Sequence, residues 1–381
     1  MAKTALCEVA DQDLQASMAA FFRSLLALDE ISAVMVPMHL PAKDMVMQTL
    51  VTDPEALDAV DPLAPSFPMN AARLVSRLTK RPAGGTVAVV LRPCEIRALI
   101  ELVKLKQGAM DDIVVIGLDC PGAFKNTDYR KFAANEPETA TGRFLKGALS
   151  GETAFGDGVE VPVACRACTH PVPHGADLSV GLFGIDIDKT FLVSAETEKG
   201  EALFEKLGLG EQEPPAKREE TIESLVAART AFRDEMFEKI RENTNTAEKL
   251  SAYLAGCINC YNCRVACPVC YCRECVFVTD VFDHDPYQYL RWARRKGKIK
   301  MPTDTVFYHL TRMAHMTTAC VGCGQCSNAC PNDIPLVELF TATASLTQAA
   351  FDYEAGRSLA EEPPLSAFKA DEYADVVEIT H

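Results

Sequence analysis

Apolar and polar residues alternate along this chain in two periods, and the period changes several times. Residues 17–29 (SMAAFFRSLLALD) repeat at helical spacing, residues 31–36 read as a short strand, and residues 69–78 as a second helix. After Gly84 and Gly85 comes an apolar run, Thr86–Leu91, and a turn at Arg92 and Pro93. A helical pattern follows over 94–107, then a second apolar run, Ile113–Leu118, which ends at Asp119, Cys120, Pro121 and Gly122. Strand, helix, strand at this spacing predicts a βαβ unit with parallel strands. Cys94 and Cys120 fall just past the C-terminal ends of those strands, the edge where open α/β sheets carry their sites.

Residues 140–165 are rich in glycine and small side chains and read as hairpins or loops. Residues 176–184 and 190–195 read as further strands, and 198–208 as a helix closed by Gly208. Residues 211–215 suit a linker, and a long helical pattern over 217–242 leads into a cysteine-rich segment from 257 onward. The organisation this predicts is an N-terminal α/β segment (1–80), a second α/β unit (81–210), a helical linker (211–250), an iron–sulfur unit (251–345) and an acidic tail (346–381). The tail holds Pro363 and Pro364 and is expected to wrap on a partner or to be loosely ordered.

With 381 residues the chain is long enough for two or three domains. Its net charge of −15 repels phosphate backbones and anionic lipid, which argues against nucleic-acid binding. No apolar run is long enough to span a membrane, and the N-terminus has no secretory pattern. Sixteen cysteines, bunched rather than spread, point to a reducing cytoplasmic compartment and to metal ligation rather than disulfides.

Two segments, CINCYNCRVACP (257–268) and CVGCGQCSNACP (320–331), follow C-x2-C-x2-C-x3-C-P. Three thiolates on a tight loop reach three corners of one cubane, and the fourth cysteine serves the other cubane. One [4Fe–4S] cluster is thus assigned to Cys257, Cys260, Cys263 and Cys330, and a second to Cys320, Cys323, Cys326 and Cys267. Gly322 and Gly324 leave room for backbone N–H groups near sulfur. Zinc also uses C-x2-C pairs, but two complete motifs ending in Cys-Pro favour iron–sulfur. His309 and His315, in the insert between the motifs, are read as packing or surface residues because the cysteine sets are already complete.

Cys165 and Cys168 form a further C-x2-C that needs two more ligands, and Cys94 and Cys120 are candidates. These four could hold a third [4Fe–4S] cluster, or could be two buried thiols and a redox pair. Cys270, Cys272 and Cys275 could hold a fourth cluster with an outside ligand, bind zinc, or exchange with Cys267. Cys7 reads as a small buried hydrophobe. No dinucleotide fingerprint, phosphate loop or hydrolase signature is visible.

The strings VLRPCEIRALIELVKL, VIGLDCPG, CRACTHPVPHGADLSVGLFG and TEKGEALFEKL resemble the beta subunit of coenzyme F420-reducing hydrogenases and related dehydrogenases. CPVCYCREC and HLTRMAHMTTACVGCGQC are most similar to the formate dehydrogenase beta subunit. The resemblance covers roughly residues 80–345. It implies an α/β flavin-binding domain (a mixed sheet with flanking helices) followed by a bacterial-ferredoxin-like α+β domain with two [4Fe–4S] clusters. It also implies a cluster on Cys94, Cys120, Cys165 and Cys168 beside an FAD, with Arg92, Pro93, Asp177, Ser179 and Gly181 as the matching flavin contacts. Each of these has a plain alternative as an ion-pair or turn residue. The implied partners are a molybdenum- or tungsten-containing catalytic subunit, or other redox subunits, and a soluble hydride carrier such as coenzyme F420 or a nicotinamide. The competing readings are a flavin-free conduit inside a hydrogenase- or heterodisulfide-reductase-like complex, and a zinc-stabilised interaction module.

Overall fold

The structure, a computed structural model, describes residues 3–41, 45–134, 136–272, 274–279, 285–297 and 305–366. The part of the expected acidic tail beyond residue 366 lies outside them. Seven strands, β1 (Thr4–Glu8), β2 (Ile31–His39), β3 (Val46–Val51), β4 (Thr86–Leu91), β5 (Ile113–Leu118), β6 (Leu178–Gly181) and β7 (Thr190–Ala195), form one sheet in the order β1-β7-β6-β5-β4-β2-β3. The four central strands β2, β4, β5 and β6 run parallel, while β1, β3 and β7 pair antiparallel. β4 and β5 are buried on both faces, which explains why they read as unbroken apolar runs rather than as alternation.

Fourteen α-helices are described. Those of the sheet-bearing half are α1 (Leu14–Leu26), α2 (Ala72–Leu78), α3 (Pro93–Lys104), α4 (Asn126–Ala133), α5 (Ala140–Leu149), α6 (Val163–Arg166) and α7 (Glu198–Lys206). Then come α8 (Lys217–Thr244), α9 (Ala247–Tyr253), α10 (Asn262–Ala266), α11 (Pro286–Lys296), α12 (Thr305–Met316), α13 (Gln325–Asn328) and α14 (Leu336–Ala350). Alternate residues of each strand feed two cores. Ala88, Val90, Val114 and Ile116 face α1, α5 and α7; Val87, Val89, Ile113 and Val115 face α2 and α3. The second core runs without interruption into Cys263, Cys267, Tyr308, Val321 and Phe340 of the cysteine-rich half. The two halves therefore share one hydrophobic interior.

The βαβ unit stands as expected, with β4 and β5 parallel and α3 between them. Three expectations are corrected. Residues 1–80 are not a separate unit, because their three strands complete the sheet of residues 81–210. Residues 140–149 form α5 rather than loops: Ala140, Thr141, Phe144 and Leu145 are buried at helical spacing, and this packing outweighs the cost of Gly142 and Gly147. The cysteine-rich half is helical. Among the described residues no strand follows Ala195, so the described part of this half shows helices in place of the expected ferredoxin-like α+β layer.

The segment expected as a loose tail is also anchored as far as Gly356. α14 runs to Ala350, and Tyr353 Oη then donates to buried Glu101 Oε1 at 2.6 Å. The Gly356 N–H donates to the same carboxylate at 2.7 Å, and Lys104 Nζ closes an ion pair with it at 2.8 Å. Gly356 has φ +77°, and a Cβ there would collide with Arg97 of α3. Cys7 pairs across to Phe191 in the edge strand, and burial pushes its thiol up to about 11, in keeping with a packing role.

One glycine decides how the site loops lie. A Cβ on Gly117 of β5 would overlap the ring of Pro173 and meet Ala176 Cβ at 2.9 Å. The loop after Cys168 can lie on the strand only because that side chain is missing, and it fixes Cys120 through the Cys120 N–H to Pro171 O bond at 2.8 Å. Gly117→Ala is expected to destabilise by about 1–3 kcal/mol through overpacking. A urea midpoint equal to that of the wild-type chain would contradict this.

Candidate iron–sulfur sites

The cysteines gather into three groups. The first is Cys94, Cys120, Cys165 and Cys168. Cys94 lies in the first turn of α3, Cys120 just beyond β5, and Cys165 and Cys168 at and after the end of α6. Cys94 is close enough to Cys120 and Cys168, and Cys120 to Cys165 and Cys168, for their charges to act on one another. Burial pushes the Cys94 thiol well above its ordinary value and Cys120 up to about 12, with Arg92 pulling Cys120 the other way. Four such thiols become ligating thiolates only if a cationic centre replaces their protons.

The loops of this group are held from behind by polar side chains. Asp119, buried beside Cys120, accepts from the N–H groups of Leu182 (2.8 Å) and Phe183 (3.1 Å), and takes a two-pronged ion pair from Arg218 at 2.6 and 3.1 Å. Arg229 of α8 donates to Pro121 O at 2.7 Å and to Cys168 O at 3.5 Å, clamping both cysteine loops at once.

The two motifs contribute to each other's neighbourhoods. Cys257 is acted on by Cys263, Cys260 and, from the second motif, Cys330. Cys267 instead shares its surroundings with Cys320, Cys323 and Cys326. The two motif loops have the same backbone. Asn259 and Gly322 (φ +55° and +71°) correspond, as do Tyr261 and Gly324 (φ +60° and +76°), so the first motif takes up with Asn and Tyr a left-handed turn that the second leaves to glycine. Gly324 has a further duty: a Cβ there would lie 2.5 Å from Ala164 Cβ, so its absence lets α6 press against the second motif.

That contact brings the first group and the Cys320 group side by side, with Cys94 close enough to Cys323 to feel its charge. Asn70, 1% exposed, sits between them. Its Nδ2 points to Cys94 O at 3.4 Å, and its side chain also hydrogen-bonds Cys323. Gln325 Nε2 donates to Phe67 O at 3.1 Å across the same junction. A cleft lined in part by Arg97, Cys168, His170, Phe237, Cys320 and Tyr353 opens beside both groups.

At the far group, α12 supplies the walls. Tyr308 Oη lies 3.4 Å from Cys263 Sγ, and His309 Nε2 lies 3.4 Å from Cys257 Sγ. His309 is fully buried, and burial holds its imidazole down near about 4. His309 is thus a buried packing residue that walls a thiol in the neutral form, and His315 is on the surface. Cys260 is exposed at this end. Cys270 turns towards Cys267 and Arg312, Cys272 is exposed, and Cys275 is half-buried.

Among the described residues no three His, Cys, Asp or Glu side chains converge tightly enough to hold a single metal ion.

The side chains matched to flavin are mostly engaged within the fold. Arg92 caps α3 and donates to Ala64 O (2.7 Å) and Ser66 O (2.9 Å); Pro93 is buried in the first turn. Asp177 accepts from Val115 N–H (2.8 Å) and Thr197 Oγ1 (2.7 Å), and Ser179 Oγ donates to Glu196 at 2.9 Å. Gly181 lies under the Arg218 guanidinium. Of the five, Pro93 adjoins Cys94 and Arg92 lies near the thiols, with its charge acting on Cys120 and Cys165. Asn70, Arg229 and Arg312 were not found from the sequence, where a lone Asn or Arg outside a motif gives no signal. None of the described helices is long and apolar enough to cross a membrane.

Comparison with known proteins agrees with this division of the chain. Residues 84–213 match the family model for the C terminus of the coenzyme F420 hydrogenase/dehydrogenase beta subunit, and residues 253–334 match a 4Fe-4S dicluster domain. The chain is 28% identical over 295 residues to the F420-dependent formate dehydrogenase subunit beta of Methanocaldococcus jannaschii, covering 72% of this chain and 73% of that one. It is 30% identical over 297 residues to the F420-dependent formate dehydrogenase 1 subunit beta of Methanococcus maripaludis, covering 71% and 73%. A solved structure of the F420-reducing [NiFe] hydrogenase complex from Methanosarcina barkeri aligns over 65% of this chain and 94% of its own with a TM-score of 0.46 at 15% identity. Both halves are matched in order, and nearly three quarters of the M. maripaludis protein is covered, so the chain belongs to the coenzyme F420 hydrogenase/dehydrogenase beta-subunit family of oxidoreductase subunits.

Proposed function

We propose that the chain is the electron-transfer beta subunit of a formate dehydrogenase-like oxidoreductase, linking a molybdenum- or tungsten-containing catalytic subunit to a soluble hydride carrier, coenzyme F420 or a nicotinamide. The observation that carries this reading is the close packing of α6 on the second motif, where Gly324 has no room for a Cβ against Ala164. It sets the sheet-edge group beside the Cys320 group, so the two continue one line with the first motif. Bound [4Fe–4S] clusters would supply single-electron steps and FAD the conversion to hydride.

In this reading Cys257, Cys260, Cys263 and Cys330 hold the outermost cluster, where exposed Cys260 lets a partner protein approach. Cys320, Cys323, Cys326 and Cys267 hold the middle one. Cys94, Cys120, Cys165 and Cys168 hold the innermost. Asn70 bridges the middle and inner ligand sets, and Arg229 keeps the inner loops in place. A flavin ring in the cleft beside Cys168 and Cys320 would meet both inner sites. One observation favours the flavin-free conduit instead: the Asp177 carboxylate and the Ser179 hydroxyl are already engaged by Val115, Thr197 and Glu196 of the fold.

Iron and flavin stoichiometry on anaerobically purified chain tests the proposal. About twelve iron atoms, at four per cubane, and about one acid-released flavin are expected. Reduced viologen should then drive reduction of coenzyme F420 or a nicotinamide. Full iron with no flavin and no acceptor reduction would leave the conduit as the function. Zinc in place of iron would remove both.

A further inference from the structure

We propose that Arg312 is the shared counter-charge of the two crossed motif groups and sets the reduction potentials of the clusters they hold. The inference rests on the proposed cluster sites. Arg312 stands on α12, in the insert between the motifs, and is 4% exposed. Its Nη2 reaches Cys263 O at 3.2 Å and Met316 Sδ at 3.5 Å, and its guanidinium carbon sits 4.7 Å from the centre of the Phe340 ring. Among the described residues, Nε and Nη1 meet no hydrogen-bond partner, and the groups acting on the guanidinium are cysteines and Tyr308 rather than a carboxylate. A buried guanidinium without a counter-ion is strongly unfavourable. The groups near it that would become anionic on binding a cluster are cysteines, Cys263 of one group and Cys267 and Cys326 of the other, with the Tyr308 hydroxyl also close.

The chemistry follows from charge. Four thiolates make each cubane anionic, and accepting an electron adds one more negative charge. A fixed cation nearby in a low-dielectric interior favours the reduced state and raises the potential. Tyr308 and His309, the other polar residues of α12 at these thiols, are neutral and cannot substitute for it. The free Nε and Nη1 donors also suit N–H···S bonds to cluster sulfur, which act in the same direction.

Redox titration of the cluster-loaded chain, followed by electron paramagnetic resonance, tests this. Arg312→Gln with wild-type iron content should lower both motif clusters' potentials. The reduced-to-oxidised ratio at a fixed potential should fall about tenfold, or about 59 mV for a one-electron couple. The Cys94 group should not move. Full iron with unchanged potentials would overturn the role. If Arg312→Gln fails to assemble, Arg312→Lys decides. Restored iron with near-native potentials supports a counter-charge; failure of the lysine variant as well means the residue is needed for shape rather than charge and overturns the proposal. A wild-type chain without [4Fe–4S] signals at these motifs would overturn the cluster sites themselves, an outcome separate from any Arg312 result.

Discussion

Replacing Cys120 with alanine is expected to lower the iron content from about twelve to about eight atoms per chain and to reduce acceptor reduction to background. The reason is positional. Cys120 is fixed by its own N–H on Pro171 O, and the preceding Asp119 is tied to Leu182, so the sheet edge presents this thiol from a set position. The crossed motif groups share no ligand with it, and their resonance signals after dithionite reduction should be unchanged. Iron analysis and acceptor assays on the same preparation check both halves. Twelve iron atoms in the variant would mean that the sheet-edge thiols hold no cluster, and the inner end of the line would have to be redrawn.

The largest stability effect is expected at Asp119→Ala. The carboxylate is fully buried and serves three partners: two backbone N–H groups and the Arg218 guanidinium, itself only 15% exposed. Removing it leaves a nearly buried cation without its anion and two donors without an acceptor, at a cost of about 3–5 kcal/mol. Because Asp119 precedes Cys120, inner-site iron should be lost along with stability. Adding Arg218→Met should recover part of the loss, and a double-mutant cycle in urea reports how much belongs to the pair. A single-variant loss below about 1 kcal/mol would show that the pair is dispensable.

The parts legible in the sequence were those with a strong local period or a fixed spacing. β4 and β5 read correctly because both faces are buried and the residues are branched and apolar. The crossed ligand groups were proposed from spacing alone, because a cubane imposes that spacing on any chain. β1 and β3 did not read, since short strands of mixed exposure acquire their identity from partners far away, Phe191 for Cys7 and Val34 for Val51. α5 was hidden by its glycines. The α+β expectation for the cysteine-rich half came from motif likeness, and likeness of ligand loops does not fix what surrounds them. Asn70, Arg229 and Arg312 became visible only in three dimensions, because each acts on cysteines remote in sequence.

The Glu101 anchor has a consequence for how the molecule is made. Its partner Gly356 lies 255 positions later in the chain. At ordinary synthesis rates, roughly 5–20 residues per second, the ribosome needs on the order of tens of seconds to cover that interval. During it α3 has emerged with a carboxylate and a lysine on a face whose cover does not yet exist. The sheet can form early, but its α3 side stays open until residues 353–356 arrive, by which time all three thiol groups have been synthesised. Closure of the α3 face is therefore a late step.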